Sequence, residues 1–351
     1  MKTMKTDGKC KEYRVPAGLN DFQKMMYMHL IDWKHDVLGV KEAGSYRGHV
    51  YDCLFTDEYI RKQPCPPFLY TGVRKEYDKM QDDGKYAYKV HKHAYHMASS
   101  QTACVNLFMP VLMSSDADEI LRHLPGAPAD FVKVDRNRLF DGYCFEYWGQ
   151  EFAPEKGMLG DHSRGAGTDS DVAIAYINDK GEPCLWIIEH KLTESEFTTC
   201  GGYRSKGNKD KQRCKCNGIS DLVANPGRCH YHNIGYKYWD IMKKNPDAFK
   251  AAEAVGRCPF IGGMNQLWRN HLLALEYVAG GEYAHVTFSV VHHRDNEALK
   301  ETLDAYRNLI GSDLLFTVFT NEDLVVAAER HSDVLHDWTE WYRNLLLRLK
   351  R

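Results

Sequence analysis

Apolar and polar positions along this chain follow two rhythms, and the change between them falls near residue 99. Before it, aromatic residues are frequent, but only residues 20–37 repeat with a helical period. There Met25, Met26, Met28 and Leu30 are placed to pack into a core. After it the pattern becomes regular. Ser99-Ser100-Gln101 opens the apolar run ACVNLFMPVL as a helix N-cap would, with Pro110 marking a kink or an end. A second helix over 116–124 stops at Pro125-Gly126, and strands follow over 142–151, 169–178 and 184–192. A helix over 264–279, a strand over 284–292, a helix over 296–310, a strand over 314–319 and a helix over 334–349 complete the pattern. This order predicts an α/β fold with a central mixed sheet flanked by helices. The regular domain spans 99–351, preceded by an irregular and helical extension over 1–98 and interrupted by a Cys-rich, basic insertion over 198–258.

The informative stretch is GTDSDVAIAYINDKGEPCLWIIEHKLTE. Two apolar runs flank Asp179-Lys180-Gly181, which suits a three-residue hairpin loop with Gly181 in the left-handed position. Centring the hairpin on Lys180 sets Asp171 opposite Glu189 and Asp169 opposite Lys191. Strand alternation then puts all four on one face, while Val172, Ile174, Trp186 and Ile188 fill the other. A one-residue bulge would break that register. Like charges facing each other destabilise a strand pair, so two carboxylates between buried strands call for a cation. Hard divalent ions such as Mg²⁺ accept such carboxylates and keep positions for water and a substrate phosphate. A neighbouring lysine can orient the attacking water or stabilise charge on the phosphate. The bland alternative is a charged hairpin edge with Lys191 paired to Asp169 or Glu189. The acidic-x-Lys triplet alone says little; the preceding aspartate in register is what favours chemistry.

Asp171, a strand, a turn and then Glu189-His190-Lys191 resemble the PD-(D/E)XK nuclease superfamily, and specifically its restriction-endonuclease-like members. The order of helices and strands around them is similar to that superfamily's core. The resemblance implies hydrolysis of DNA phosphodiester bonds with Mg²⁺ (or Mn²⁺), by an endonuclease of restriction or defence. Alternatives are a repair or recombination nuclease acting on ends or branched DNA, and an inactive, metal-stabilised nucleic-acid-binding protein. By that likeness Asp171 and Glu189 hold the metal, the His190 carbonyl adds a ligand and Lys191 assists the water. The motif's proline is absent; Asp169-Ser170 stands before Asp171, which leaves open which aspartate is the ligand. Gln266, with Arg269, resembles the Gln-bearing helix that follows the active-site strands in many members and joins the catalytic set; a surface-facing pair on an amphipathic helix is the alternative. Ser99-Ser100-Gln101 is similar to the opening of restriction-type members, and Glu146 reads as a solvated strand residue or an extra acidic ligand. Many such enzymes dimerise, so a homodimer is expected by analogy.

Within the insertion Cys200, Cys214, Cys216 and Cys229 form a candidate structural site for Zn²⁺ or an iron–sulfur cluster, with His230, His232 and Cys258 nearby. The surrounding loop is too polar and Gly-rich to fold by burial alone. Arg204, Lys206, Lys209, Lys211 and Arg213 give the same segment a basic run suited to DNA phosphates, or simply a solvated loop. A local patch is needed, because the whole chain has a formal charge of -2 and a pI near 6.8. His91, His93 and His96 suggest a His-based metallohydrolase, but without a carboxylate pattern around them. The chain lacks both a membrane-length apolar run and a signal-peptide core, and its eleven cysteines do not suggest a disulfide framework. These features predict a soluble, cytoplasmic protein.

Overall fold

The computed structural model describes residues 13–86, 88–163, 167–250, 256–311 and 315–349. Its centre is a mixed sheet, in which apolar alternation along each strand feeds two separate cores. The long strands β5 (Ser170–Asn178) and β6 (Pro183–Lys191) form an antiparallel hairpin, and β7 (Val286–His292) and β8 (Phe316–Thr320) continue the sheet in parallel. On the other side of β5 lie β3 (Phe131–Val134) and β4 (Tyr143–Tyr147), both antiparallel to it. The sheet is therefore α/β and mixed, as expected.

The hairpin has the register that its loop demands. Gly181 sits at φ 79° and its N–H donates to the Asn178 carbonyl at 3.0 Å. Val172 then faces Ile188 and Ile177 faces Pro183; the same register carried one step further sets Asp171 against Glu189. No bulge intervenes among these pairs.

Val172, Ile174, Trp186 and Ile188 all enter the first core, and all four are fully buried. That core is covered by α4 (Ser100–Met113), α13 (Asn321–His331) and α14 (His336–Tyr342). The opposite face, with Ala173, Leu185 and Ile187, packs against α11 (Met264–Ala279) and α12 (Lys300–Leu309). Burying each such branched or aromatic side chain contributes roughly 1.5–3 kcal/mol, so the hairpin is anchored from both sides.

Residues before 99 also pack into the first core. Helix α1 (Asp21–Asp36) contributes Met26 and Leu30, while Met25 and Met28 are only half-buried. The short hairpin of β1 (Gly44–Tyr46) and β2 (His49–Tyr51), and helices α2 (Asp57–Arg61) and α3 (Arg74–Asp82), fill the rest of that region. Several sequence expectations shift. Helix α4 runs through Pro110 to Met113, the strand expected over 142–151 ends at Tyr147, and the closing helix is α14 followed by a π-helical turn, Arg343–Leu347. Strand β3 and helix α13 were not expected. Four residues of β3 are too few for periodicity to register, whereas α13 does announce itself: Thr320 and Asp323 form a capping box. Between α4 and β3 lies α5 (Ala117–Arg122), close to the expected 116–124.

Candidate active site

The end of β6 and the start of β5 meet the first turns of α4 and α11 around a cleft of about 400 Å³. Alternation along β6 turns Glu189 and Lys191 to the α11 side and His190 to the other. The Lys191 Nζ lies 2.8 Å from Glu189 Oε1, with Glu189 only 2% and Lys191 7% exposed. Glu189 is held at both oxygens by α11: Gln266 Nε2 donates to Oε1 at 2.7 Å and Asn270 Nδ2 to Oε2 at 2.9 Å. Gln266 is itself oriented by the Thr198 N–H, which donates to its Oε1 at 2.9 Å. Asp171 Oδ2 accepts the backbone N–H of His190 at 2.6 Å, tying β5 to β6 at the motif.

Helix α4 supplies the other wall, and its opening triplet does more than cap. Ser99 accepts the Thr102 N–H at 3.3 Å. Ser100 Oγ donates to the His190 carbonyl at 3.0 Å and lies 3.2 Å from its Nδ1. Gln101 Nε2 donates to Glu146 Oε1 at 3.0 Å. Glu146 is a lining residue of the cleft and not a solvated strand residue. It has φ 53°, a left-handed backbone that a non-glycine residue adopts at a cost. Its neighbours reveal the consequence: Phe145 joins the first core and Tyr147 the second, although residues two apart on a strand normally share a face.

The electrostatics follow from crowding carboxylates in a buried place. Burial pushes Asp171 well above the usual carboxylate range, with Glu189 and Glu146 adding to the effect; Lys191 and the His190 N–H oppose it. Burial and the charge of Asp169 bring Glu146 up to about 8, against the hydrogen bond from Gln101. Asp169 rises to about 6 through burial and Glu189, with Arg269 opposing. Burial works against the charge on Lys191, yet Glu189, Glu194 and Asp171 outweigh it and raise the ammonium above its ordinary range. His190 is fully buried and pushed down to about 3 by burial and then by Lys191.

The structure thus brings Asp171, Glu189, His190, Lys191 and Gln266 together. Asp169 is electrostatically close but is not a lining residue of the cleft. Arg269 is not a surface residue: its Nη1 donates to Thr168 Oγ1 at 3.0 Å and stands 3.8 Å from Asp161, bracing the segment that enters β5. His91, His93 and His96 line the cleft mouth with Tyr27 of α1, so the region before residue 99 contributes to its wall. Asn270 was missed by sequence reasoning, although it lies one helical turn after Gln266 on the same face. Two compact ligand groupings, Glu119 with His123 and His331, and Asp130 with Cys184 and His285, also went unnoticed; none of these residues lines the cleft.

In the insertion, Cys200, Cys214 and Cys229 gather around one small cavity together with Cys258, whereas Cys216 is exposed and lies outside it. The expected set of Cys200, Cys214, Cys216 and Cys229 therefore exchanges one member, because Cys214 and Cys216, two residues apart on the short helix Gln212–Cys216, point to different sides of it. Arg204, Lys206, Lys209, Lys211 and Arg213 are all exposed, Arg213 in a 2.7 Å ion pair with Asp210.

A family model described as restriction endonuclease associating with ARP matches residues 28–344. The chain belongs to that family. The match begins inside α1 and ends beyond α14, so it takes in the region before residue 99 as well as the sheet and the insertion. Membership in this restriction-endonuclease family assigns the chain a nuclease role in general and agrees with the restriction-endonuclease-like α/β core. Comparisons with curated proteins and with solved structures gave no match. Among the described residues no helix is long and apolar enough to cross a membrane.

Proposed function

We propose that this restriction-endonuclease family member hydrolyses DNA phosphodiester bonds as a divalent-metal-dependent endonuclease in restriction or defence, at the cleft formed by Asp171, Glu189 and Lys191. The carrying observation is the buried Lys191–Glu189 pair at 2.8 Å beside Asp171. A purely structural ion pair would not need further carboxylates. Here Asp171 and Glu146 crowd the same place: burial, Glu189 and Glu146 push Asp171 up, and burial, Asp169 and Glu189 push Glu146 up, an excess of negative charge that a dication would relieve. The donor set fits: Asp171, Glu189, Glu146 and the His190 carbonyl offer hard oxygen ligands of the kind Mg²⁺ and Mn²⁺ prefer. A divalent ion held there supplies a Lewis acid for the phosphate and an activated water.

The protein's own residues have separable tasks. Lys191, kept protonated by its acidic neighbours, places a positive charge where negative charge builds on the phosphate during attack. Gln266 and Asn270 fix the orientation of Glu189. The His190 ring is neutral and turned into the first core, where Ser100 and Asn321 hold it, so it positions the backbone of the motif and carries no proton to substrate. The exposed Arg204, Lys206, Lys209 and Lys211 follow β6 directly in the chain and supply local positive charge for backbone phosphates.

Purified protein incubated with plasmid, linear duplex and single-stranded DNA, with Mg²⁺ or with EDTA, tests the reading. Cleavage is expected only with Mg²⁺, and Lys191→Ala is expected to remove it while leaving DNA binding intact. Cleavage by Lys191→Ala at the wild-type rate would sink the assignment. Activity confined to ends or branched substrates would replace restriction by repair or recombination.

A further inference from the structure

The cysteines that converge in the insertion come from four separate segments. Cys200 precedes α6 (Gly201–Arg204), Cys214 lies in α7 (Gln212–Cys216), Cys229 precedes α9 (His230–Asn233), and Cys258 precedes the 3-10 turn Pro259–Ile261. Between α7 and α9 is α8 (Ile219–Ala224), and α10 (Tyr238–Lys244) follows. None of these helices exceeds seven residues, too short for stability of their own. Their cysteine ends nevertheless line one cavity, although no three of the sulfurs come within 4.8 Å of one another without an ion to draw them in. The Cys258 N–H donates to the Cys214 carbonyl at 3.0 Å and the Cys200 N–H to the Ile261 carbonyl at 3.1 Å.

The cavity they share encloses about 20 Å³. That is room for one water-sized species and too little for a multi-atom cluster. Its other walls are aromatic, with Trp239, Phe260 and Trp268. Backbone N–H groups already point at the sulfurs: that of Tyr203 reaches Cys200 Sγ at 3.2 Å, and that of Phe260 favours the Cys258 thiolate. Two further donors on the cavity wall have no hydrogen-bond partner among the described residues, the side-chain amide of Asn265, which is 1% exposed, and the indole N–H of Trp239, also 1% exposed. Buried polar groups left without partners are rare in native proteins and mark places where an ion or its ligands belong.

We propose that Cys200, Cys214, Cys229 and Cys258 bind a single Zn²⁺ ion as a closed tetrathiolate site, with Cys216 outside it. Four thiolates saturate tetrahedral Zn²⁺ and leave no open position, so the site is structural. Its place in the chain gives it a second consequence. Cys200 follows Thr198, whose N–H orients Gln266, and Cys258 leads through the turn Pro259–Ile261 into α11, which carries Gln266 and Asn270 to Glu189. The ion joins the two segments that bracket the Glu189 clamp. Zinc binding itself is independent of the nuclease reading; only the effect on cleavage rests on it.

The full chain, produced with zinc available, is analysed for bound metal and its zinc is then exchanged for Co²⁺. One zinc per chain, no iron or acid-labile sulfide, and the thiolate charge-transfer and tetrahedral d–d bands of a four-sulfur Co²⁺ site are expected. Cys258→Ser should lose most of the metal and Cys216→Ser none of it. Should Cys258→Ser fail to fold, the wild-type stoichiometry and the Co²⁺ spectrum decide alone. Absence of stoichiometric metal from the wild type, iron with labile sulfide in place of zinc, or equal loss from Cys216→Ser and Cys258→Ser overturns the proposal. If zinc is present but no nucleic acid is cut, the zinc site stands and the nuclease reading falls.

Discussion

The β5–β6 hairpin and the cysteine insertion are consecutive in the chain, and they are held together by different means. The hairpin buries apolar residues on both faces, and its charged residues are placed by strand alternation and a three-residue loop. The insertion is a string of short helical turns whose sulfur-bearing ends converge on a small aromatic-walled cavity. Precision in the first comes from backbone geometry, because the pleat dictates that residues two apart share a face. Precision in the second has to come from side chains. Helix α11 touches both: Gln266 and Asn270 reach Glu189, while Asn265 and Trp268 line the cysteine cavity.

Three experiments bear on this contrast. The largest effect is expected from Asp171→Asn. Cleavage should fall on the order of 10³-fold, as for loss of a group that stabilises transition-state charge. Without divalent metal the same variant should melt about 2 °C higher or more. The neutral amide still accepts the His190 N–H and removes a carboxylate that burial, Glu189 and Glu146 push far above its usual range. A lower melting temperature would show that crowded charge is not what distinguishes this face of the hairpin.

Gln266→Ala should cost about 10- to 100-fold in single-turnover rate with little change in DNA affinity, since it displaces Glu189 by a fraction of an ångström without removing it. An affinity loss with an unchanged rate would make Gln266 a DNA contact and not a positioning residue.

Acid should act on the cores, and most mildly near neutrality. Burial pushes His271 of α11 down to about 3 and His293 to about 4. The unfolded chain protonates its histidines near pH 6.5, while these folded ones resist until much lower pH. Their contribution to stability is therefore present above about 6.5 and lost as pH falls towards 4. Thermal melts across that window should show a falling midpoint, with His271→Phe flattening the fall; a midpoint independent of pH would contradict the buried neutral state.

Much of the hairpin was legible before any coordinates. Two apolar runs around Asp179-Lys180-Gly181 leave one register that buries Val172, Ile174, Trp186 and Ile188 together, and that register places Asp171 by Glu189. Periodicity of 2 and 3.6 and the chemistry of one loop are local properties, so residue order suffices to carry them. Lys191 beside Glu189, and Gln266 near them, followed from a motif. Folding in three dimensions settled what local pattern cannot encode. Glu146 enters the cleft because a left-handed residue breaks the alternation of β4, and no sequence period signals such a residue. Cys258 in place of Cys216 depends on which turns of a loop approach each other across more than forty residues of chain. Arg269 turns inward because Asp161 and Thr168, a hundred positions away, lie beneath α11. The last two are long-range contacts, decided by how the elements pack and not by the spacing of residues within any one of them.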